Sequence, residues 1–207
     1  MRRTWAWAAL LALVSALWAL PAQAQFRGRE PNLKIGLNRV MVSGANYEVD
    51  GVGDTSEPFV GNDLFIEYVF FGRIGVELAY SLTPYTRTSD LDTGLSDTES
   101  VTSALAGANL YFGRNRTRGF NFFFGLATGT YSSKHEFDGG ALDGQTASQT
   151  VPVNVMKLGV DWIMEQAGLR LQYGVVSGKL TESEDLGVAQ TLDYNASLLT
   201  VGVLAFF

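Results

Sequence analysis

Few residues in this 207-residue chain have the chemistry that catalysis or metal binding needs. The chain has no cysteine and one histidine, which excludes disulfides, thiolate nucleophiles and cysteine-ligated metals. That histidine, His135, follows Ser133 by two residues, the spacing that places two side chains on one face of a strand. A serine beside a histidine could supply a nucleophile and a base, but no third group is fixed by spacing to orient the imidazole. We therefore expect the pair to be incidental rather than catalytic.

Six charged residues lie within segments that otherwise alternate between large apolar residues and small or polar ones. They are Lys34, Glu67, Glu77, Lys157, Asp161 and Arg170. If Phe71-Gly72-Arg73 forms a three-residue hairpin turn, Glu67 and Glu77 lie directly opposite each other and repel. We therefore expect at least one of the three cations to pair with them. Three interpretations stay open: a structural plug, a gate or narrow ion path, and a carboxylate pair for acid–base chemistry.

Composition and charge narrow the class of protein. Charged residues make up 17% of the chain, against about 25% in an ordinary soluble domain. The net charge of −6 argues against a nucleic-acid partner, which would need a basic face. Aromatic residues make up 12% of the chain, which excludes a disordered protein.

The first 24 residues have the pattern of a cleaved signal peptide. Arg2 and Arg3 precede an apolar run over 5–20, and Ala22-Gln23-Ala24 supplies the small residues of a cleavage site. We predict cleavage after residue 24, so that 25–207 forms the mature domain. The alternative is an uncleaved membrane anchor.

The rest of the chain alternates with a period of two residues, which predicts strands. Eight are expected, over 32–43, 60–71, 74–86, 100–112, 120–133, 150–164, 169–179 and 190–207. The longer connections are 44–59, 87–99, 134–149 and 180–189, and they alternate with shorter ones. Long strands with long connections at one end predict an all-β, eight-stranded antiparallel up-and-down transmembrane β-barrel.

The size of such a barrel indicates which face is outside. In the strand over 74–86, Ile74, Val76 and Leu78 share one face, and Glu77 and Ala79 share the other. A secreted soluble barrel, the alternative, would turn the apolar face inward. Because an eight-stranded barrel has room for little more than side chains, we expect the bulky apolar face to point outward, to lipid.

The last strand ends in the segment Leu199-Thr200-Val201-Gly202-Val203-Leu204-Ala205-Phe206-Phe207. With its alternate apolar positions and final aromatic residue, the chain resembles the small outer-membrane β-barrels. That group includes the transmembrane domain of outer membrane protein A, outer membrane protein X and the opacity-type proteins. The resemblance implies a cell outer membrane location and a barrel-assembly machinery that reads Phe207. It also implies contact with outer-membrane lipid and lipopolysaccharide, an unidentified extracellular ligand and a monomer.

The four longer connections are acidic, with a net charge of −12. We interpret this as a solvated face, because Asp90-x-Asp92 is not followed by the remaining ligands of a calcium loop. No metal or cofactor is expected.

The function predicted is a non-enzymatic structural or surface-interaction role, with a small ion or solute channel as the alternative. A more remote alternative is a hydrolase of lipid A. Outer-membrane barrels with that activity have the order His-x-Ser, whereas here Ser133 precedes His135.

The first strand contains one residue that fits this pattern poorly. Leu33, Ile35 and Leu37 are expected to face lipid, which places Arg39 on the same side. Either a bulge near Asn38 shifts the register, or Arg39 extends toward the outer interface.

Overall fold

The structure is a computed structural model that describes residues 32–49, 52–55, 59–91, 95–112, 118–138, 144, 146–181 and 191–207. Its strands are β1 (Leu33–Val49), β2 (Val52–Thr55), β3 (Phe59–Phe70), β4 (Ile74–Leu91), β5 (Leu95–Tyr111), β6 (Arg118–Asp138), β7 (Thr146–Met164), β8 (Ala167–Thr181) and β9 (Thr191–Phe206). The predicted signal peptide, 1–24, lies outside the described residues. Within them, no helix is long and apolar enough to cross a membrane.

The strands form one antiparallel sheet that closes on itself. Consecutive strands from β3 to β9 pair with each other, β2 pairs with β1, and β1 also pairs with both β3 and β9. The short β2 continues β3, because Asn46 opposite Thr55 and Val42 opposite Phe59 belong to one register along β1. The wall therefore has eight strands, which confirms the predicted barrel.

The pairing register determines the tilt of the strands. Stepping from Ala167 through the directly opposed residues of each neighbouring strand returns to β8 at Ser177, ten residues further along. A stagger of ten residues over eight strands corresponds to a strand tilt of roughly 40°, within the range usual for barrels. The interior of such a barrel is just wide enough to be filled by side chains.

Large apolar side chains cover the outside of the barrel, as predicted. Leu78 is 60% exposed and Phe120 61% exposed, and on β1 and on each strand from β3 to β9 such residues alternate with buried ones. On β8 the apolar face extends from Leu169 to Val175 and turns polar at Ser177. Together these outward-facing residues form a belt around the barrel, here called the outer band. Its height is about 20–25 Å, which suits the core of an outer membrane.

The strands continue well beyond the outer band. β4 and β5 stay paired as far as Leu91 and Leu95, and β6 and β7 as far as Glu136 and Thr146. β1 and β2 likewise occupy most of 44–59, so the expectation that 44–59, 87–99 and 134–149 are loops is wrong for most of their length. Outside the membrane both faces of a strand can be polar, so the alternation that marks the band disappears. We call the paired segments beyond the band the projecting strands.

The turn between β3 and β4 sets the register of the two glutamates. Phe71 and Gly72 have φ angles of 52° and 64°, and the Arg73 amide donates to the Phe70 carbonyl at 3.0 Å. Two consecutive positive φ angles match the tight hairpin turn whose twist suits antiparallel strands. As the three-residue turn predicts, Glu67 and Glu77 are direct partners across β3 and β4.

The interior of the upper half of the barrel is mostly apolar, with Asp63, Ser81 and Ser103 buried and hydrogen-bonded beside the apolar residues, and the sequence reading of a small and polar inner face did not predict the apolar part. Its buried residues pack in one cluster: Val40, Val42, Phe59, Val101, Tyr131, Val151, Val153, Val155, Val176, Ala196 and Leu198. This cluster, here called the apolar layer, lies between the projecting strands and the charged residues below.

Candidate functional site

The structure brings all six charged residues selected from the sequence together in the lower half of the barrel. Lys34, Glu67, Glu77, Lys157, Asp161 and Arg170 come from β1, β3, β4, β7 and β8, and each is buried. They all occupy inward-facing positions of their strands, so the period of two residues places them in the lumen. We call these six residues the charge network.

Arg170 lies at the centre of the charge network. Its Nε and Nη2 donate to the two oxygens of Asp161 at 2.7 and 3.0 Å. Nη2 also donates to Glu67 Oε2 at 2.7 Å, and Nη1 donates to Glu77 Oε2 at 2.7 Å. One guanidinium therefore joins three carboxylates, and it separates the two glutamates electrostatically.

The two lysines complete the charge balance. Lys34 Nζ donates to Asp161 Oδ2 at 2.8 Å and lies 3.9 Å from Glu67 Oε2. Lys157 Nζ pairs with Glu77 Oε1. The network holds three cations and three carboxylates, so its formal charge is zero. Buried charges are tolerated when they are paired and hydrogen-bonded in this way.

Two neutral side chains that the sequence reading did not select also belong to the site. The Tyr111 hydroxyl accepts a hydrogen bond from Lys34 Nζ at 2.7 Å and donates to Glu67 at 2.8 Å. Asn109 Nδ2 donates to Glu67 Oε1 at 2.8 Å and to Glu77 Oε2 at 3.0 Å. Both lie at the alternate positions of β5 that face the lumen, and this alternation is the feature of the sequence that could have identified them.

Aromatic rings enclose the central guanidinium. The Arg170 Cζ atom lies 4.1 Å from the centre of the Phe65 ring and 4.9 Å from that of Phe123. Glycines on neighbouring strands make room for these rings, since a Cβ on Gly36 would lie 2.3 Å from Phe65 and one on Gly159 would lie 2.4 Å from Phe123. The rings exclude water from the ion pairs and strengthen them.

The geometry leaves the carboxylates little capacity for chemistry on a substrate. Each of the six carboxylate oxygens accepts a hydrogen bond from a lysine, from Arg170, from Asn109 or from Tyr111. A general base needs a free lone pair within reach of a substrate proton. Among the described residues, no group of three or more His, Asp or Glu side chains is arranged to hold a metal ion.

A small cavity separates the charge network from the apolar layer. Its volume is about 30 Å³, and its lining includes Asn38, Asp63, Gln172 and Thr200 as well as parts of the network. A space of that size holds one or two water molecules. An ion that crossed the barrel would therefore have to break the network and then pass the apolar layer.

The other residues selected from the sequence lie apart from this site. Phe207 closes the barrel, since its amide and carbonyl bond the backbone of Leu33 at 2.8 and 3.0 Å. Arg39 is on the outer face with no shift of register at Asn38. Glu99, counted among the connection acids, is buried and points into the barrel. The side chain of His135 and those of Asp90 and Asp92 lie outside the described residues.

No protein-family profile matches the sequence, and no curated protein matches it. Solved structures do match the fold. Neisserial surface protein A gives a TM-score of 0.59 at 12% identity, covering 84% of this chain and 97% of that chain. The fold is that of a bacterial outer-membrane β-barrel.

Two further outer-membrane barrels give similar agreement. Ail, the attachment invasion locus protein of Yersinia pestis, gives a TM-score of 0.55 at 14% identity, covering 86% of this chain and 100% of that chain. OprG from Pseudomonas aeruginosa gives a TM-score of 0.51 at 17% identity, covering 87% of this chain and 98% of that chain. Identities this low establish the shared fold, and together with the outer band they place this barrel in the outer membrane.

Proposed function

We propose that this outer-membrane barrel is a closed, non-enzymatic surface protein that acts through its projecting strands and their connections. The observation that carries the proposal is the filled interior. A neutral charge network and an apolar layer lie in series along the lumen, and each is a barrier to a hydrated ion. The charge network then serves as a structural plug that orders the barrel.

The charge of the exterior supports a particular kind of partner. The four connections predicted from the sequence carry a net charge of −12, to which Glu99, buried inside the barrel, contributes one negative charge that does not face the exterior. The Ail structure contains a heparin analogue, sucrose octasulfate, which is a polyanion. An acidic surface repels such a ligand, so we propose that the extracellular partner of this barrel is neutral or basic.

Solute permeation through proteoliposomes tests the closed lumen. Mature protein refolded into vesicles should leave their permeability to small sugars at the level of protein-free vesicles. The control is a large-pore porin refolded in the same way. Sugar entry in proportion to the amount of folded barrel would show that the protein is a channel instead.

The absence of enzymatic activity has its own test. Lipid A from cells that express the wild-type protein and from cells that express His135→Ala should give identical mass spectra, equal to those of cells without the protein. Loss of an acyl chain or phosphate that depends on His135 would establish a hydrolase. The proposal also retains a monomeric barrel and Phe207 as the residue read during assembly.

A further inference from the structure

A charged side chain, Arg39, interrupts the outer band on β1. Arg39 points outward from β1, with the apolar residues Leu37 below it and Met41 above it on the same face. Among the outward-facing residues that the structure describes, Arg39 is the one charged side chain with apolar neighbours on both sides along its strand. A lipid-facing arginine is costly unless something compensates its charge.

The surrounding residues hold this guanidinium in place. Arg39 Nη1 donates to Asn62 Oδ1 at 3.2 Å, directly across from it on β3. Asn62 in turn donates to Thr83 Oγ1, from Nδ2 at 2.9 Å and from its backbone amide at 3.1 Å. The register between β3 and β4 shifts at Asn62, and that shift brings Thr83 alongside. Three polar residues therefore form one hydrogen-bonded cluster on the lipid-facing surface.

The cluster has unused donors and no counter-charge. The hydrogen bond to Asn62 occupies one of the five N–H groups of the guanidinium, and the Arg39 side chain is exposed. Thr83 accepts both bonds from Asn62, which leaves its hydroxyl hydrogen free to donate. Within the described part of the outer band, no carboxylate faces outward to neutralise Arg39.

The depth of the cluster indicates which leaflet it meets. The outer face of β1 turns polar at Ser43, four residues beyond Arg39, whereas Leu33 at the other end is six residues away. Four residues of a tilted strand rise about 10 Å, most of which an extended arginine side chain can span. The guanidinium therefore lies nearer the interface on the side of the projecting strands.

We propose that Arg39, Asn62 and Thr83 form a binding site for the phosphate group of a phosphorylated lipid in the outer leaflet. A guanidinium presents paired N–H groups that match two phosphate oxygens, and the Thr83 hydroxyl can donate to a third. Binding places an anion beside the uncompensated guanidinium of Arg39. The site is independent of whether the lumen is closed.

Native mass spectrometry of the mature protein released from detergent micelles tests this site. The probe is bis-phosphorylated lipid A, titrated beside the same lipid with both phosphates removed. Arg39→Leu should weaken binding of the phosphorylated lipid about tenfold. Arg39→Lys should weaken it less, because a lysine keeps the positive charge but lacks the paired N–H groups of the guanidinium. Asn62→Leu should also weaken binding, since it removes the group that orients the guanidinium.

The control variant is Lys134→Leu, which removes an exposed cation of the projecting strands that already pairs with Glu136. It should bind the lipid like the wild type, and the heat-dependent shift in gel mobility should show that every variant is folded. Equal binding by wild type and Arg39→Leu would overturn the proposal, as would equal losses in Arg39→Leu and Lys134→Leu. Displacement of the lipid by millimolar inorganic phosphate would overturn the assignment to a lipid.

Discussion

At the scale of single residues, the barrel depends on how Arg170 is accommodated. Its guanidinium contacts three carboxylates and lies between two aromatic rings, and the side chain is fully buried. Removing one partner from a buried ion network leaves the others uncompensated in a medium of low dielectric. The six network residues therefore stabilise the barrel only as a complete set.

Replacing Arg170 with methionine should destabilise the barrel by about 3–5 kcal/mol, because three carboxylates then face two lysines. The matched variant Lys134→Met breaks an exposed ion pair with Glu136 and should cost less than about 1 kcal/mol. Urea unfolding in lipid vesicles, followed by tryptophan fluorescence, measures both. Similar losses in the two variants would contradict a stabilising network.

Gly75 and Gly174 offer a sharper comparison, because both are inward-facing glycines in the lumen. A Cβ on Gly75 would lie 1.9 Å from Glu67 Oε1, whereas one on Gly174 would meet nothing nearer than 3.3 Å. Gly75→Ala should therefore displace Glu67 from Arg170 and cost about 1–3 kcal/mol. Gly174→Ala should be neutral within about 1 kcal/mol. The same urea titration applies, and a neutral Gly75→Ala would show that Glu67 is not held in place.

At the scale of elements, alternation along the chain predicted the strands within the membrane and which face is outside. It also placed Glu67 opposite Glu77, because a three-residue turn leaves no other register. It missed Tyr111 and Asn109, whose contacts depend on strands far away in sequence. Alternation does put Phe65 and Phe123 on the inward face, but it does not show how such large rings fit there, because the glycines that make room for them lie on other strands.

Most of the projecting strands were predicted to be loops. Their outer faces contact water instead of lipid, so they lack the alternation of apolar and polar residues that marks a strand within the membrane. On β6 the outward residues of the misread segment include Lys134 and Glu136, which form an exposed ion pair. Hydropathy does not distinguish such a strand from a polar loop. The pairing with neighbours, which hydropathy cannot report, makes these segments part of the barrel wall.

Amide hydrogen exchange on vesicle-embedded protein tests this extension. The amides of 132–136 pair with 146–150 and should exchange at least about a hundredfold more slowly than in an unfolded peptide. The amides of 153–157, within the outer band, serve as the protected reference. Exchange at unfolded rates in 132–136, with the reference still protected, would show that this segment is a loop.

At the scale of the whole molecule, the barrel is layered along its axis. Charged residues and rings fill the lower half, a small cavity follows, and the apolar layer fills the upper half. An eight-stranded wall with a stagger of ten residues encloses an interior only just wide enough for side chains such as these. The sequence predicted the wall and the charges, whereas the apolar layer became visible only when residues from several strands met.

Single-channel recording of the refolded protein, expressed as residues 25–207, in a planar bilayer tests the closed interior most directly. Wild-type barrel, shown to be folded by its gel mobility, should give no stable conductance steps over the usual range of voltages. Glu67→Gln and Glu77→Gln should also remain silent, because the apolar layer still blocks the lumen. Stable steps in the wild type, with a conductance or ion selectivity that changes in Glu77→Gln, would contradict the account and make the charge network part of an ion path.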